Sequence, residues 1–435
     1  MKWLHLTALV MLLTACVSDR VTDDSLDEIA ADYVQMTLEI GEREPGYVDA
    51  YYGPAEWRDA AKAAPRSVAD LAKEAAALFA RTNAIDPATL EPLEQRRRAF
   101  LLAQLTAAST RIRMLQGEKL SFAEEAEGLF GVRPEIQPLS PYDTVLARIE
   151  ALVPGQGPLS ERVEAFQERF TIPSDRQKPV FDAAIAECKR RTAAHIALPP
   201  GETFTMEFVT DKSWSGYNYY QGDYSSLIQI NTDLPIRISP AVDLGCHEGY
   251  PGHHVLNSLL EQRLTQERGW VEFSIYPLYS PQSLIAEGSA NYGIDLAFPG
   301  EERLRYETSV LYPLAGLPID QADEYLALLE AMEALQGARF TIARDYLEGR
   351  IDRQRAVELT QKYQLVSKER AEQSGDFVDE YRSYVINYGL GETMVESYVE
   401  AVGDTPKARW AAMERVISEP TLPSDLLAPI DEARP

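Results

Sequence analysis

Histidine is scarce in this chain, at five in 435 residues, and cysteine is scarcer, at three. Three cysteines in a chain of this length exclude the disulfide scaffold of a small secreted domain. Basic residues are short too: 42 Lys and Arg against 68 Asp and Glu, a formal net charge of −26. That balance excludes a nucleic-acid binder, because phosphate backbones are held by Lys and Arg. No internal repeat or low-complexity run stands out. The rest of the composition is that of a globular protein, 45% hydrophobic and 25% charged, and the length suits two or more cores.

What histidine there is, is concentrated. His247, His253 and His254 fall within Gly245-Cys246-His247-Glu248-Gly249-Tyr250-Pro251-Gly252-His253-His254. Imidazole is the common nitrogen ligand for zinc, and a neighbouring glutamate is the common base for zinc-activated water. The usual H-E-x-x-H spacing, which stacks two imidazoles on one helical face, is absent. From His247 the next histidines are six and seven positions on. Six steps of a regular helix miss the face by roughly 120°, and seven climb about 10 Å along the axis. A straight helix and a shared metal are therefore incompatible. The remedy is in the sequence: Pro251 collides with the carbonyl four residues back, and Gly249 and Gly252 free the backbone. The helix over 239–266 is expected to bulge or break between Tyr250 and Gly252, bringing His253 or His254 back to His247.

A third ligand has to come from elsewhere. In the run 284–296, Glu287, Asn291 and Asp295 recur every fourth residue on an otherwise apolar helix. A carboxylate on a buried face calls for a metal or an ionic partner. Glu287 as ligand, with Asn291 and Asp295 behind it, accounts for the stripe. Asp243, one turn before His247, is positioned to orient its imidazole, and His254 to support the site if it is not itself the ligand.

The H-E-G-Y-P-G-H run and the downstream E-G-S-A-N-Y resemble the bacterial family known as domain of unknown function 885, regarded as zinc metallopeptidases distantly similar to helical carboxypeptidases. The resemblance is firmest over residues 200–300. It implies zinc on His247, His253 and Glu287, with Glu248 as general base. The closing segment is similar as well, through Arg382, Tyr384 and Tyr388, although Asn387 stands where the family usually has proline. A Tyr or Arg there would steady the oxyanion of a tetrahedral intermediate.

Residues 1–15 read as a short leader, well under the ~20 apolar residues of a membrane span. Leu13-Thr14-Ala15-Cys16 matches a lipoprotein box, which predicts lipid on Cys16, a linker over 16–25 and attachment to the cell envelope. In a Gram-negative cell, Val17 favours the outer membrane, facing the periplasm. Cys188 and Cys246 are expected to be free and buried. Residues 26–198 read as a helical lobe and 199–435 as the catalytic region. The whole is a mainly α, two-lobed fold with a small antiparallel sheet over 204–231. Trp214, Tyr217, Asn218 and Tyr220 are the expected lining of a substrate groove along that sheet's edge. His195 is expected to cap a helix end.

The function these features predict is a zinc hydrolase acting on a peptide or small amide, one Zn²⁺ per chain. The alternatives are a metal-dependent hydrolase of non-peptide amides or esters, and a non-catalytic zinc-binding envelope lipoprotein.

Overall fold

A computed structural model describes residues 25–427. The leader, Cys16 and nearly all of the linker lie outside the described residues. The fold is mainly α with two small sheets. Helix starts follow local chemistry. Ser25 opens Leu26–Arg43 with a reciprocal capping box to Glu28, and Ser121 does the same with Glu124 for Phe122–Phe130. The long helix Pro92–Leu115 begins with proline in its first turn. No helix among the described residues is long and apolar enough to cross a membrane.

The expected sheet is present as β2 (Thr203–Val209), β3 (Gly216–Gly222) and β4 (Ser225–Asn231), in the order β2-β4-β3. It is mixed, which corrects the antiparallel expectation. β3 and β4 form a hairpin, but β2 runs parallel to β4, because residues 210–215 carry the chain across the sheet before β3. β2 and β3 are the sheet's two edge strands, and β3 is the one that borders the motif segment. A second sheet pairs β1 (Val48–Tyr51) with β5 (Ile275–Pro277), antiparallel. These strands are four and three residues long, too short for an alternating pattern to declare itself.

The larger of two hydrophobic clusters draws on both sides of residue 198: Tyr33, Phe130 and Phe181 belong to it along with Leu256, Leu284 and Ile417. A smaller cluster likewise joins Ile149 and Val163 to Leu328 and Ala338. An ion pair with almost no exposure, Arg97 on Glu272, ties the first half to the segment before Ile275–Pro277, with Asp27 on the same guanidinium. Cys188 and Cys246 form a disulfide, which corrects the expectation of free thiols. Both are fully buried, and their Cα atoms are 5.4 Å apart where helix Ser174–Ala193 packs on the turn before His247. Their separation of 58 residues gives no sequence cue to the pairing. His195 lies parallel to Trp410, ring centroids 4.8 Å apart, rather than capping carbonyls with its ring.

Candidate metal centre

The motif segment is irregular in the way its residues demand. Helix Ser239–Leu244 widens into a π-helical turn over Gly245–Gly249, Tyr250 is extended, the Tyr250–Pro251 bond is cis, and a helix restarts at His253–Leu260. The amide of Gly252 donates to the carbonyl of Cys246 at 3.0 Å, folding the restart back on the turn. A Cβ on residue 252 would sit 1.7 Å from the His247 carbonyl oxygen, so only glycine fits. The extra length is absorbed, and His253 returns to His247.

Their Nε2 atoms are 3.1 Å apart, and Glu287 Oε2 lies 3.2 Å from His247 Nε2 and 3.7 Å from His253 Nε2. Ligands at ~2.0–2.1 Å around a tetrahedral zinc stand about 3.3 Å from one another, so the three atoms have the spacing of one coordination shell. Glu287 Oε2 is buried with no hydrogen-bond partner. A carboxylate oxygen buried this way calls for a cation, and two nitrogens and an oxygen suit zinc. His254 points away. It is fully buried between Ser226 Oγ, 2.9 Å from Nδ1, and Glu202, 2.8 Å from Nε2. Glu202 also meets Lys189 and the Tyr250 hydroxyl. Burial would raise its carboxyl, but these three partners outweigh it and hold the group down at about 2.

Two of the three candidate ligands, His247 and Glu287, are oriented from behind. Asn291 Nδ2 donates to the Tyr388 carbonyl at 3.1 Å, which fixes the amide so that Oδ1 accepts from His247 Nδ1 at 2.8 Å. That hydrogen bond keeps a proton on Nδ1 and turns Nε2 toward Glu287, the nitrogen that a metal would take. Tyr384 donates to Glu287 Oε1 at 2.8 Å. Helix Pro281–Ala297, which carries Glu287 and Asn291, lies against Ile386–Val402. Gly288 and Gly391 meet there so closely that a Cβ on residue 288 would come within 2.3 Å of the Gly391 backbone. This contact brings Tyr384 and Tyr388 to the ligands.

The centre opens on a cavity of about 410 Å³. Glu248 faces it, nearly buried, its carboxylate without a hydrogen bond to a described residue. Burial raises its pKa, against the pull of His247 and His253. Burial lowers the pKa of His247, but Glu287, Glu248 and Asn291 prevail and push it up to about 9. Gly216 of β3 leaves room for Glu248; a Cβ there would be 3.0 Å from Oε1.

Of the other expected residues, Trp214, Tyr217 and Asn218 line the cavity, and Asn218 Nδ2 donates to the Glu248 carbonyl at 2.7 Å. Tyr220 does not line it. It lies farther along β3, buried, with its hydroxyl on Glu261. Asp243 borders the cavity but pairs with Arg303 at 2.7 Å, and Asn291 takes the orienting role on His247. Asp295, two turns past Glu287, is exposed at the end of the stripe. Arg382 is outside the cavity, bonded to Glu125, which also holds the Ser383 amide and hydroxyl. Tyr388 stays at the centre, its ring 6.4 Å from that of His247. Two residues of the site went unread in the sequence. Asp49, on strand Val48–Tyr51, accepts from the Tyr217 hydroxyl, and burial pushes its carboxyl up to about 7. Arg339 borders the cavity from helix Gln336–Leu347.

No family model matches the sequence, and no curated protein does. Among solved structures, the "putative lipoprotein" from Colwellia psychrerythraea superposes with a TM-score of 0.51 at 15% identity, over 82% of this chain and 65% of that one. This chain thus spans less than two thirds of that protein's length, and the likeness is one of fold. A structure known as BsuCP aligns over 91% of this chain and 88% of its own at 12% identity, with a TM-score of 0.40.

Proposed function

We propose that this chain is a zinc-dependent hydrolase of peptide or related amide bonds, as its resemblance to the domain of unknown function 885 family implies. The observation that carries the reading is the convergence of His247 Nε2, His253 Nε2 and the unpartnered Glu287 Oε2 at the wall of a cavity. Three protein ligands facing open space are the arrangement of a catalytic rather than a structural zinc, which takes four. Zinc bound there supplies a Lewis acid and makes water a nucleophile near neutral pH. The chain's own groups do the rest. Asn291 and Tyr384 orient the ligands. Glu248, its basicity raised by burial, takes a proton from the attacking water and delivers it to the leaving nitrogen. Tyr388, whose ring is 6.4 Å from that of His247, is the residue we assign to the oxyanion. Edge strand β3, with Trp214 and Tyr217 on the cavity, is available to an extended substrate.

The lipoprotein box at Cys16 supports anchoring in the cell envelope, and the disulfide fits an oxidising compartment. The Colwellia protein is likewise described as a "putative lipoprotein".

Metal analysis and a peptide panel test the reading together. Purified protein is expected to carry one zinc, His247→Ala none, and Glu248→Gln the full zinc with turnover lowered by at least ~10²-fold. Wild-type protein that takes up no zinc, or Glu248→Gln with undiminished activity, overturns it.

A further inference from the structure

The hydrolase reading leaves one cation without a task. Arg339 borders both the main cavity and an adjoining one of about 250 Å³. Its guanidinium carbon is 5.2 Å from the Phe377 ring centroid and 5.6 Å from that of Tyr388. Nε is buried without a hydrogen-bond partner, and the side chain makes no ion pair with a described residue. In a chain with 68 acidic against 42 basic residues this is unusual. Arg97, Arg303 and Arg353 each hold two carboxylates. Burial without an acid lowers the pKa of Arg339 from its ordinary value. Arg339 is half-buried, and burying its Nε while leaving the fork on the cavities without an acid is costly unless an arriving anion completes it.

The location says which anion. Tyr388 neighbours both groups: its ring centroid is 6.4 Å from that of His247 and 5.6 Å from the guanidinium carbon. In a peptide the terminal carboxylate follows the last amide by a single residue, at most about 3.6 Å of chain. The smaller cavity, walled mainly by Met332, Leu335, Phe340 and Val385 with Gln336 beside them, meets the larger one at Asn291, Arg339, Gln364 and Tyr388. It is a largely apolar recess beside a cation, and it shares Tyr388 and Asn291 with the cavity that holds the candidate metal ligands.

We infer that Arg339 receives the α-carboxylate of an apolar C-terminal residue whose side chain fills the smaller cavity. The ligand class is then a peptide or N-acyl amino acid with a free C-terminus, and the bond cleaved is the last one. This rests on the hydrolase reading. The oxygen of water joins the carbonyl carbon, the C–N bond breaks, and the proton held by Glu248 passes to the leaving nitrogen. The departing amino acid keeps its carboxylate on Arg339.

The test begins with binding. Calorimetry with 4-methylpentanoate is compared with 4-methylpentanamide and with acetate on wild-type protein, a comparison that needs no variant. The branched acid is expected to bind at least ~30-fold tighter than either, and Arg339→Gln to lose at least ~30-fold for the acid, with partial retention in Arg339→Lys. Thermal melts confirm that the variants fold. Equal affinity for acid and amide, or an unchanged affinity in Arg339→Gln, overturns the inference. Hydrolysis of an N-acyl dipeptide ending in leucine is then compared with that of its C-terminal amide. Preference for the free acid supports the inference, and equal turnover of the amide overturns it while leaving the hydrolase standing. The expected binding pattern with neither peptide cleaved sinks the hydrolase reading and leaves the carboxylate receptor.

Discussion

Asn291 shows how a neutral side chain sets a candidate metal ligand. Its amide is locked by the Tyr388 carbonyl, and that lock decides which nitrogen of His247 carries the proton. Removing it frees the ring to rotate and change tautomer. Asn291→Ala is expected to weaken zinc about 10- to 100-fold while the ligands remain, as chelator competition would show. At this scale much was legible. Rarity singled out the histidines, and a four-residue period singled out Glu287 and Asn291. Asp49 and Arg339 were not legible, because nothing near either in sequence marks it. Asp49 lies almost 200 residues before the motif and reaches the site through a strand too short to announce itself. Arg339 is one of two arginines in its helix, and only the want of an acidic partner, visible in three dimensions, sets it apart. Arg382 and Tyr384 illustrate the converse: neighbours in the chain, they turn to different carboxylates, Glu125 and Glu287.

Among the elements, the broken motif helix was the most readable, because Pro251 and the flanking glycines forbid a regular one. The path of the break was not readable. The widening falls over Gly245–Gly249, before the proline, and is tied from the side by Cys188–Cys246. Closing a loop of that span is worth about 4 kcal/mol in the chain-entropy account. The double variant Cys188→Ser, Cys246→Ser is expected to lose about that much in denaturant unfolding, and to bind zinc more weakly because His247 follows Cys246 directly. A second network, on the far side of the motif, reports through pH. The folded pKa of Glu202 is held at about 2, below its ordinary 4.5. Its contribution is therefore complete above pH 4.5 and fades as pH falls toward 2. Wild-type protein is expected to melt higher than Glu202→Gln above pH 4.5, with the two melting temperatures converging as acid is added below it.

At the scale of the whole molecule, the mainly α character was legible from the spread of helix formers and caps, whereas the way the halves interlock was not. Strand Val48–Tyr51 supplies Asp49, helix Phe122–Phe130 supplies the anchor for Arg382, and Arg97 reaches Glu272. These are single long-range contacts, invisible to any local pattern. The Arg97–Glu272 pair is the most enclosed, and Arg97→Met would strand a buried carboxylate. The expected loss is about 3–5 kcal/mol in unfolding free energy, with Arg97→Met, Glu272→Leu recovering much of it.

The sulfur bridge next to His247 also bears on the candidate centre. In a reducing interior, where thiols stay apart, the turn that presents this imidazole rests on packing alone. Oxidation fastens it to helix Ser174–Ala193. A chain held in a reducing compartment would lack that constraint, so how firmly the candidate ligand cluster is held depends on the redox state around it.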